Sequence, residues 1–534
     1  MHIKTVTIVG GGSSGWMTAA ALSKLCPHLE VTLIESSIVK TIGVGESTLG
    51  HINKFLHILD LKDEDWMAAC NATYKNSIRF TNFRVGQGES FEYPFGPGFD
   101  FTDKPNGLQT WNDLAAMFPE EYGPESFAEF FCTGNTMLAK YNRQTRDEHG
   151  VLRNYKFRYD TAYHLDATLF GQYLKDKIAI PNGVKHLKGD VHSFKKDHLG
   201  RLTQILTEDG TELKSDLWID CTGFKSILLE QWMGSQFVPF KDQLANDMAW
   251  ACRIPYVDRE NEMHNVTDCH ALGNGWVWNI PLWNRIGTGY VFSSRFTTPE
   301  DAQKEFRNHL AKSDKKRAEE AEMFLVKIAH GKRRRAWVEN VVGVGLSYGF
   351  VEPLESTGLL TTHENIIKLV EILNRRNGFV SRIEKDGFNL AVDKEVTGFR
   401  DFVAMHYAFS QRTDTPYWRW CTQINEYSPD MINDFLVTHG GFANLIGNVT
   451  SNQVYPPDAQ GAAYIAAGQG LRPMATKSLV YYKDWTGLKT QEINIARRSY
   501  EQYRDFVIDY VKSCPSHYQF LKDNIYGGKD EFSL

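Results

Sequence analysis

The chain has 534 residues, 42% hydrophobic and 13% aromatic, with a formal net charge of −6, which is enough apolar material for a large packed core. That charge balance argues against nucleic-acid partners, which need a basic surface to displace phosphate counterions, and the basic run at 332–335 (KRRR) reads as a solvated face. The eight cysteines form no C-x-x-C pair, so neither a zinc site nor a disulfide framework is expected, and no metal is assigned.

Residues 5–9 (TVTIV) are β-branched and short, as a buried parallel strand should be. The chain opens directly into this strand, and no run approaches ~18 consecutive apolar residues, so the expectation is a cytoplasmic, soluble enzyme with no signal peptide and no membrane span. Glycines follow, then a helical stretch at 14–25 and a second strand at 31–34 ending on Glu35. A second glycine turn (GVGEST, 43–48) leads toward another helix.

Residues 81–155 are aromatic and loop-rich, the character of an insertion that builds a substrate pocket. A helical pattern occupies 165–175, hairpin-like strands 184–213, and a buried strand at 217–220 meets a turn at Asp220. A mostly β stretch covers 245–295, helical patterns 301–327 and 362–375, and the last 150 residues read as largely helical.

Six segments result. Residues 1–80 and 156–230 form a dinucleotide-binding module interrupted by the 81–155 insertion. Residues 231–330 form a β-rich module, 331–376 return to the nucleotide site, and 377–534 form a helical module. The fold class is α/β, a Rossmann-like nucleotide-binding fold with an inserted module. The helical C-terminal region leaves both a pocket-closing role and a homo-oligomer interface open.

The first glycine turn carries the firmest chemistry. Gly10 permits a tight turn, Gly12 lets backbone approach a pyrophosphate, and Gly15 lets helix pack close to strand, while the helix N-terminus offers free N–H groups. Glu35, at the end of the second strand, suits ribose hydroxyls. The turn alone does not separate FAD from NAD. A late strand closing on Asp220 favours FAD.

Several strings together resemble the flavin-dependent halogenases of the tryptophan-halogenase type. They are the turn at 10–15, GVGEST at 43–48, NATYK at 71–75, AYHLD at 162–166, WVWNIP at 276–281, FVEPLESTG at 350–358 and DTPYW at 414–418. The resemblance implies the FAD-binding fold of flavin monooxygenases. It makes Lys75 and Glu355 catalytic: the lysine directs hypohalous acid, and the carboxylate stabilises the cationic ring and takes its proton. Gly45, Glu46, Ser47, Thr48 and Ser356 join the cofactor site, and Thr357 and Gly358 hold halide in a backbone nest.

Trp276 and Trp278 share one face of a strand by period two and, with Tyr93, Pro94 and Phe95, line the substrate region. The family commonly has His-Pro-Phe where this chain has Tyr93-Pro94-Phe95, and no clamp for an amino-acid head group is apparent around 454–458 and 467–470. An indole or phenol lacking that head group is therefore expected. Reduced FAD from a separate flavin reductase, oxygen and a chloride, bromide or iodide ion complete the implied reaction. The alternative is an aromatic monooxygenase that uses NAD(P)H directly.

Overall fold

The computed structural model describes residues 1–37, 43–96, 107–423, 459–471 and 488–528. The chain divides into two compact units, each assembled from three segments.

The first unit comprises Met1–Ala72, Leu165–Lys241 and Ala329–Thr397. Its centre is a six-stranded sheet. The strand Thr5–Val9 runs parallel to Glu30–Glu35 on one side and to Leu217–Asp220 on the other; Lys185–Lys188 and Val341–Gly343 extend the parallel order outward. The near-continuous apolar strands follow from burial on both faces. The helix Ser13–Leu25 covers the sheet with Trp16, Met17 and four further residues from Ala19 to Leu22 buried. The alternating sequence at 184–213 forms Val191–Lys196, Leu202–Thr207 and Glu212–Leu213 as an antiparallel ribbon.

The second unit comprises Thr73–His164, Asp242–Ile328 and Gly398–Leu534. A seven-stranded sheet carries it, with Gly275–Pro281 between Val266–Ala271 and Ile286–Phe292. Trp278 lies opposite Gly289, where any β-carbon would collide with the indole. The helix Pro299–Leu310 is started by Thr298, which accepts from Asp301 N, with Pro299 in its first turn. It packs Ala302, Phe306 and Leu310 on Val277, Tyr290 and Phe292.

Four sequence readings are corrected. The 301–327 pattern is not one helix: Asp314 caps a separate helix Lys315–Glu320, and the chain then turns into the strand Phe324–Lys327. The 362–375 helix starts earlier, as Thr357–Arg375. The loop-rich reading of 81–155 overlooked the helices Gly107–Met117, Ser126–Phe131 and Thr133–Lys140, although residues 97–106 lie outside the described region. The basic run is a solvated face only at Arg334 and Arg335. Arg333 is buried on the strand Gly331–Arg333 and pairs with Glu230 at 2.7 Å, while Lys332 reaches Asp393 and Arg335 reaches Asp386, both at 2.5 Å. Among the described residues no helix is long and apolar enough to cross a membrane.

Candidate active site

The glycine turn has the geometry its residues demand. Gly10 sits at φ +117°, and a β-carbon there would strike the Cys221 carbonyl, so only glycine fits. A β-carbon on Gly15 would strike the Gly10 carbonyl. Gly12 differs: it caps the helix Ser13–Leu25, and a β-carbon would meet nothing within 4 Å. That open cradle lies beside a helix N-terminus with no side-chain cap and no acidic residue in its first turn, as pyrophosphate binding requires.

Glu35 ends its strand half-buried, and its Oε1 accepts from His186 Nε2 at 2.8 Å. Asp220 builds the facing turn by accepting from Thr222 N at 2.9 Å, Thr222 Oγ1 at 2.6 Å, and Leu228 N and Leu229 N at 2.8 Å. The open cradle at Gly12 and the acid at Glu35 suit a dinucleotide, while Asp220 only shapes the turn beside them.

The second glycine turn belongs to the same unit. Gly45 adopts φ +128°. Gly43 packs against Thr168 and Asp166, and Asp166 caps the helix Ala167–Leu174 through Thr168 N and Leu169 N. Loss of solvation, followed by the negative charge of Asp166, pushes the half-buried Glu46 up to about 7. Ser47 and Thr48 are buried.

Ser47 meets the 350–358 string directly, because Ser356 Oγ donates to Ser47 Oγ at 3.0 Å. Ser356 follows the short turn Pro353–Glu355 in a left-handed conformation, φ +57°, and opens the helix Thr357–Arg375. Thr357 and Gly358 therefore occupy a helix N-terminus with no acid in the first turn, and a β-carbon on Gly358 would meet nothing within 4 Å. An anion suits that place. Glu355 is buried just before it.

The second unit holds the remaining candidates. Lys75 is fully buried at the end of the strand Thr73–Lys75, where an isolated lysine of polar sequence would ordinarily be a surface residue. Its Nζ stands 5.0 Å from the centroid of the Phe95 ring. Burying an ammonium costs several kcal/mol, of which a desolvated cation–π contact returns about 2. Trp276 and Trp278 share a face, ring centroids 6.2 Å apart. The Tyr93 ring centroid lies 6.1 Å from that of Phe95 and 5.4 Å from that of Tyr464, and Pro94, between Tyr93 and Phe95 in sequence, is buried.

The chain matches the tryptophan halogenase family model over residues 5–484. It belongs to the tryptophan halogenase family. It is accordingly a flavoprotein and an oxidoreductase, a flavin-dependent halogenase, and the family assignment selects this reading over the NAD(P)H monooxygenase. It is 31% identical to tryptophan 6-halogenase SttH of Streptomyces toxytricini, covering 97% of both chains, and 33% identical to tryptophan 7-halogenase RebH of Lentzea aerocolonigenes, covering 97% and 98%. The crystal structure of SttH superposes with TM-score 0.80. The solved apo structure of VirX1 superposes with TM-score 0.89 at 54% identity, over 99% of this chain and 100% of that one. The fold is the α/β FAD-binding fold of these neighbours, with a helical C-terminal region.

The structure thus groups Gly10, Gly12, Gly15 and Glu35 with one another, and Glu46, Ser47 and Thr48 with Glu355, Ser356, Thr357 and Gly358. Lys75, Tyr93, Pro94, Phe95, Trp276 and Trp278 belong to the other unit. The 454–458 string lies outside the described residues. Sequence reasoning missed His186, Asp166 as the neighbour of Glu46, and the rings of Phe402 and Tyr464 around Tyr93. Only Asp166 carried a local signal, an aspartate directly before a helical run.

Proposed function

We propose that this halogenase converts a halide to hypohalous acid and transfers the halogen to an electron-rich indole or phenol, with Lys75 directing the transfer and Glu355 taking the ring proton. The observation that carries the reading is the complete burial of Lys75 with its ammonium over Phe95, since a buried cation outside any solvated face calls for a task. FAD, reduced by a separate flavin reductase, would supply the two electrons that activate oxygen.

The residues divide the remaining work. The Gly10–Gly15 turn and Glu35 hold the dinucleotide, and the N–H groups at Thr357 and Gly358 hold chloride, bromide or iodide. Hypohalous acid accepts a hydrogen bond from the Lys75 ammonium, which polarises the oxygen–halogen bond. The aromatic carbon takes the halogen, hydroxide leaves, and the ring proton passes to Glu355, so the balance is one arene and one hypohalous acid to haloarene and water.

Trp276 and Trp278 wall the path and do not react. Tyr93 in place of histidine favours a ring without an amino-acid head group, unlike the tryptophan named for SttH and RebH. The eight cysteines are all buried thiols, which suits a reducing cytoplasm.

Mass spectrometry of a mixed indole and phenol panel including free tryptophan, with a flavin reductase and each halide separately, tests the proposal. Halide-dependent mass shifts on head-group-free rings support it. Hydroxylated product independent of halide, or NADPH oxidation by the isolated chain, overturns it.

A further inference from the structure

One histidine ties the strand of Lys75 to the strand of the two tryptophans. Thr73 and Lys75 project from the same face of the strand Thr73–Lys75, and the antiparallel register with Ala162–Leu165 sets His164 opposite Thr73 and Ala162 opposite Lys75. His164 is fully buried. Its Nε2 lies 2.8 Å from Thr267 Oγ1, and its Nδ1 lies 3.4 Å from Thr73 Oγ1.

The Thr73 hydroxyl decides the direction of these bonds. It donates its proton to the Pro281 carbonyl at 2.6 Å. Having donated, Thr73 Oγ1 can only accept from His164, so Nδ1 carries the ring proton and Nε2 accepts from Thr267. Three hydrogen bonds then run one way, from Thr267 through His164 and Thr73 to Pro281. Pro281 is the last residue of the strand Gly275–Pro281 that carries Trp276 and Trp278, and Thr267 lies on the adjacent strand Val266–Ala271.

We propose that His164, as the neutral Nδ1–H tautomer, is the positioning residue for Lys75: through Thr73 it locks the lysine strand to the Pro281 end of the tryptophan strand. The inference rests on the reading of Lys75 as the residue that directs the halogen. Burial first, and the charge of Lys75 second, hold His164 well below its ordinary value, so the ring stays neutral beside the ammonium. Neither His164 nor Thr73 need touch the reacting atoms. Their contribution is placement, and a displacement of about 1 Å at a reacting group lowers rate by about 100-fold.

The test compares Thr73→Val and His164→Leu, which break the chain, with Thr73→Ser and His164→Asn, which keep a hydroxyl and an N–H in place. Each variant is assayed for haloarene formed and for hypohalous acid captured by an added β-diketone. The broken variants should lose about 10- to 100-fold in kcat for arene halogenation, with KM for the arene unchanged and the missing product recovered on the scavenger. The conservative variants should recover most of the rate. Nitrogen-15 NMR of histidine-labelled protein should show His164 protonated at Nδ1 and bare at Nε2.

A Thr73→Val enzyme with the wild-type ratio of haloarene to scavenged product, or an Nε2–H tautomer, overturns the inference. Should His164→Leu fail to fold, the Thr73 pair decides alone. Lys75→Ala in parallel separates the two readings. If it halogenates the arene normally, the role of Lys75 falls; if it does not, and Thr73→Val behaves as wild type, only the positioning role falls.

Discussion

Ser356 Oγ donates a hydrogen bond to Ser47 Oγ at 3.0 Å, with both serines buried. The bond joins the 43–48 turn to the start of the helix Thr357–Arg375, so the segment proposed to face the flavin and the segment proposed to hold halide are held by one hydroxyl pair. Ser356 keeps this bond in a left-handed backbone, φ +57°, which costs a residue with a β-carbon about 1 kcal/mol.

A double-mutant cycle measures that link. Ser47→Ala and Ser356→Ala should each destabilise the protein by about 1 kcal/mol, and the double variant by little more than either alone. Urea denaturation with a parallel FAD titration reads both stability and affinity. Fully additive costs would show that the two serines act separately.

The glycines of the first turn separate folding from binding. Gly12→Ala places its β-carbon in open space, so the unfolding free energy should stay within about 1 kcal/mol of wild type while FAD affinity falls at least about tenfold. Gly10→Ala forces a β-carbon onto the Cys221 carbonyl at a positive φ, and should cost about 2–3 kcal/mol of stability. Equal effects of the two changes on stability would contradict the assignment.

Glu46 gives a pH signature. Its folded value is raised from 4.5 to about 7, so the folded state holds the proton more tightly than the unfolded chain. Its favourable contribution is therefore complete below the unfolded value and is lost as pH rises through about 7. Glu46→Gln should match wild type near about pH 4 and be more stable near about pH 8, by up to about 3 kcal/mol. Urea midpoints at the two pH values check this, and a gap that shrinks with rising pH would refute it.

The parts of the site legible in sequence are those set by local chemistry. Gly10 and Gly15 announce themselves because only glycine fits a positive φ or a crowded backbone, and Trp276 and Trp278 because strand alternation puts them on one face. Lys75 was legible only through family resemblance. Its burial depends on Phe95 and on the strand bearing His164, contacts that no local pattern announces. Arg333 misled for a related reason: the run of four basic residues hides a strand whose alternation turns Arg333 inward to Glu230. The 301–327 reading failed where Asp314 restarted the helix, a cap that the charged surroundings concealed.

The central claim is that Lys75 directs the halogen without making hypohalous acid. Lys75→Met, which keeps the buried volume and removes the charge, should be assayed with reductase, bromide, an indole and a β-diketone scavenger. The account predicts haloindole formation reduced by about 100-fold or more, with scavenged hypobromous acid at the wild-type rate. Haloindole formed at the wild-type rate, or loss of both products together, would contradict it.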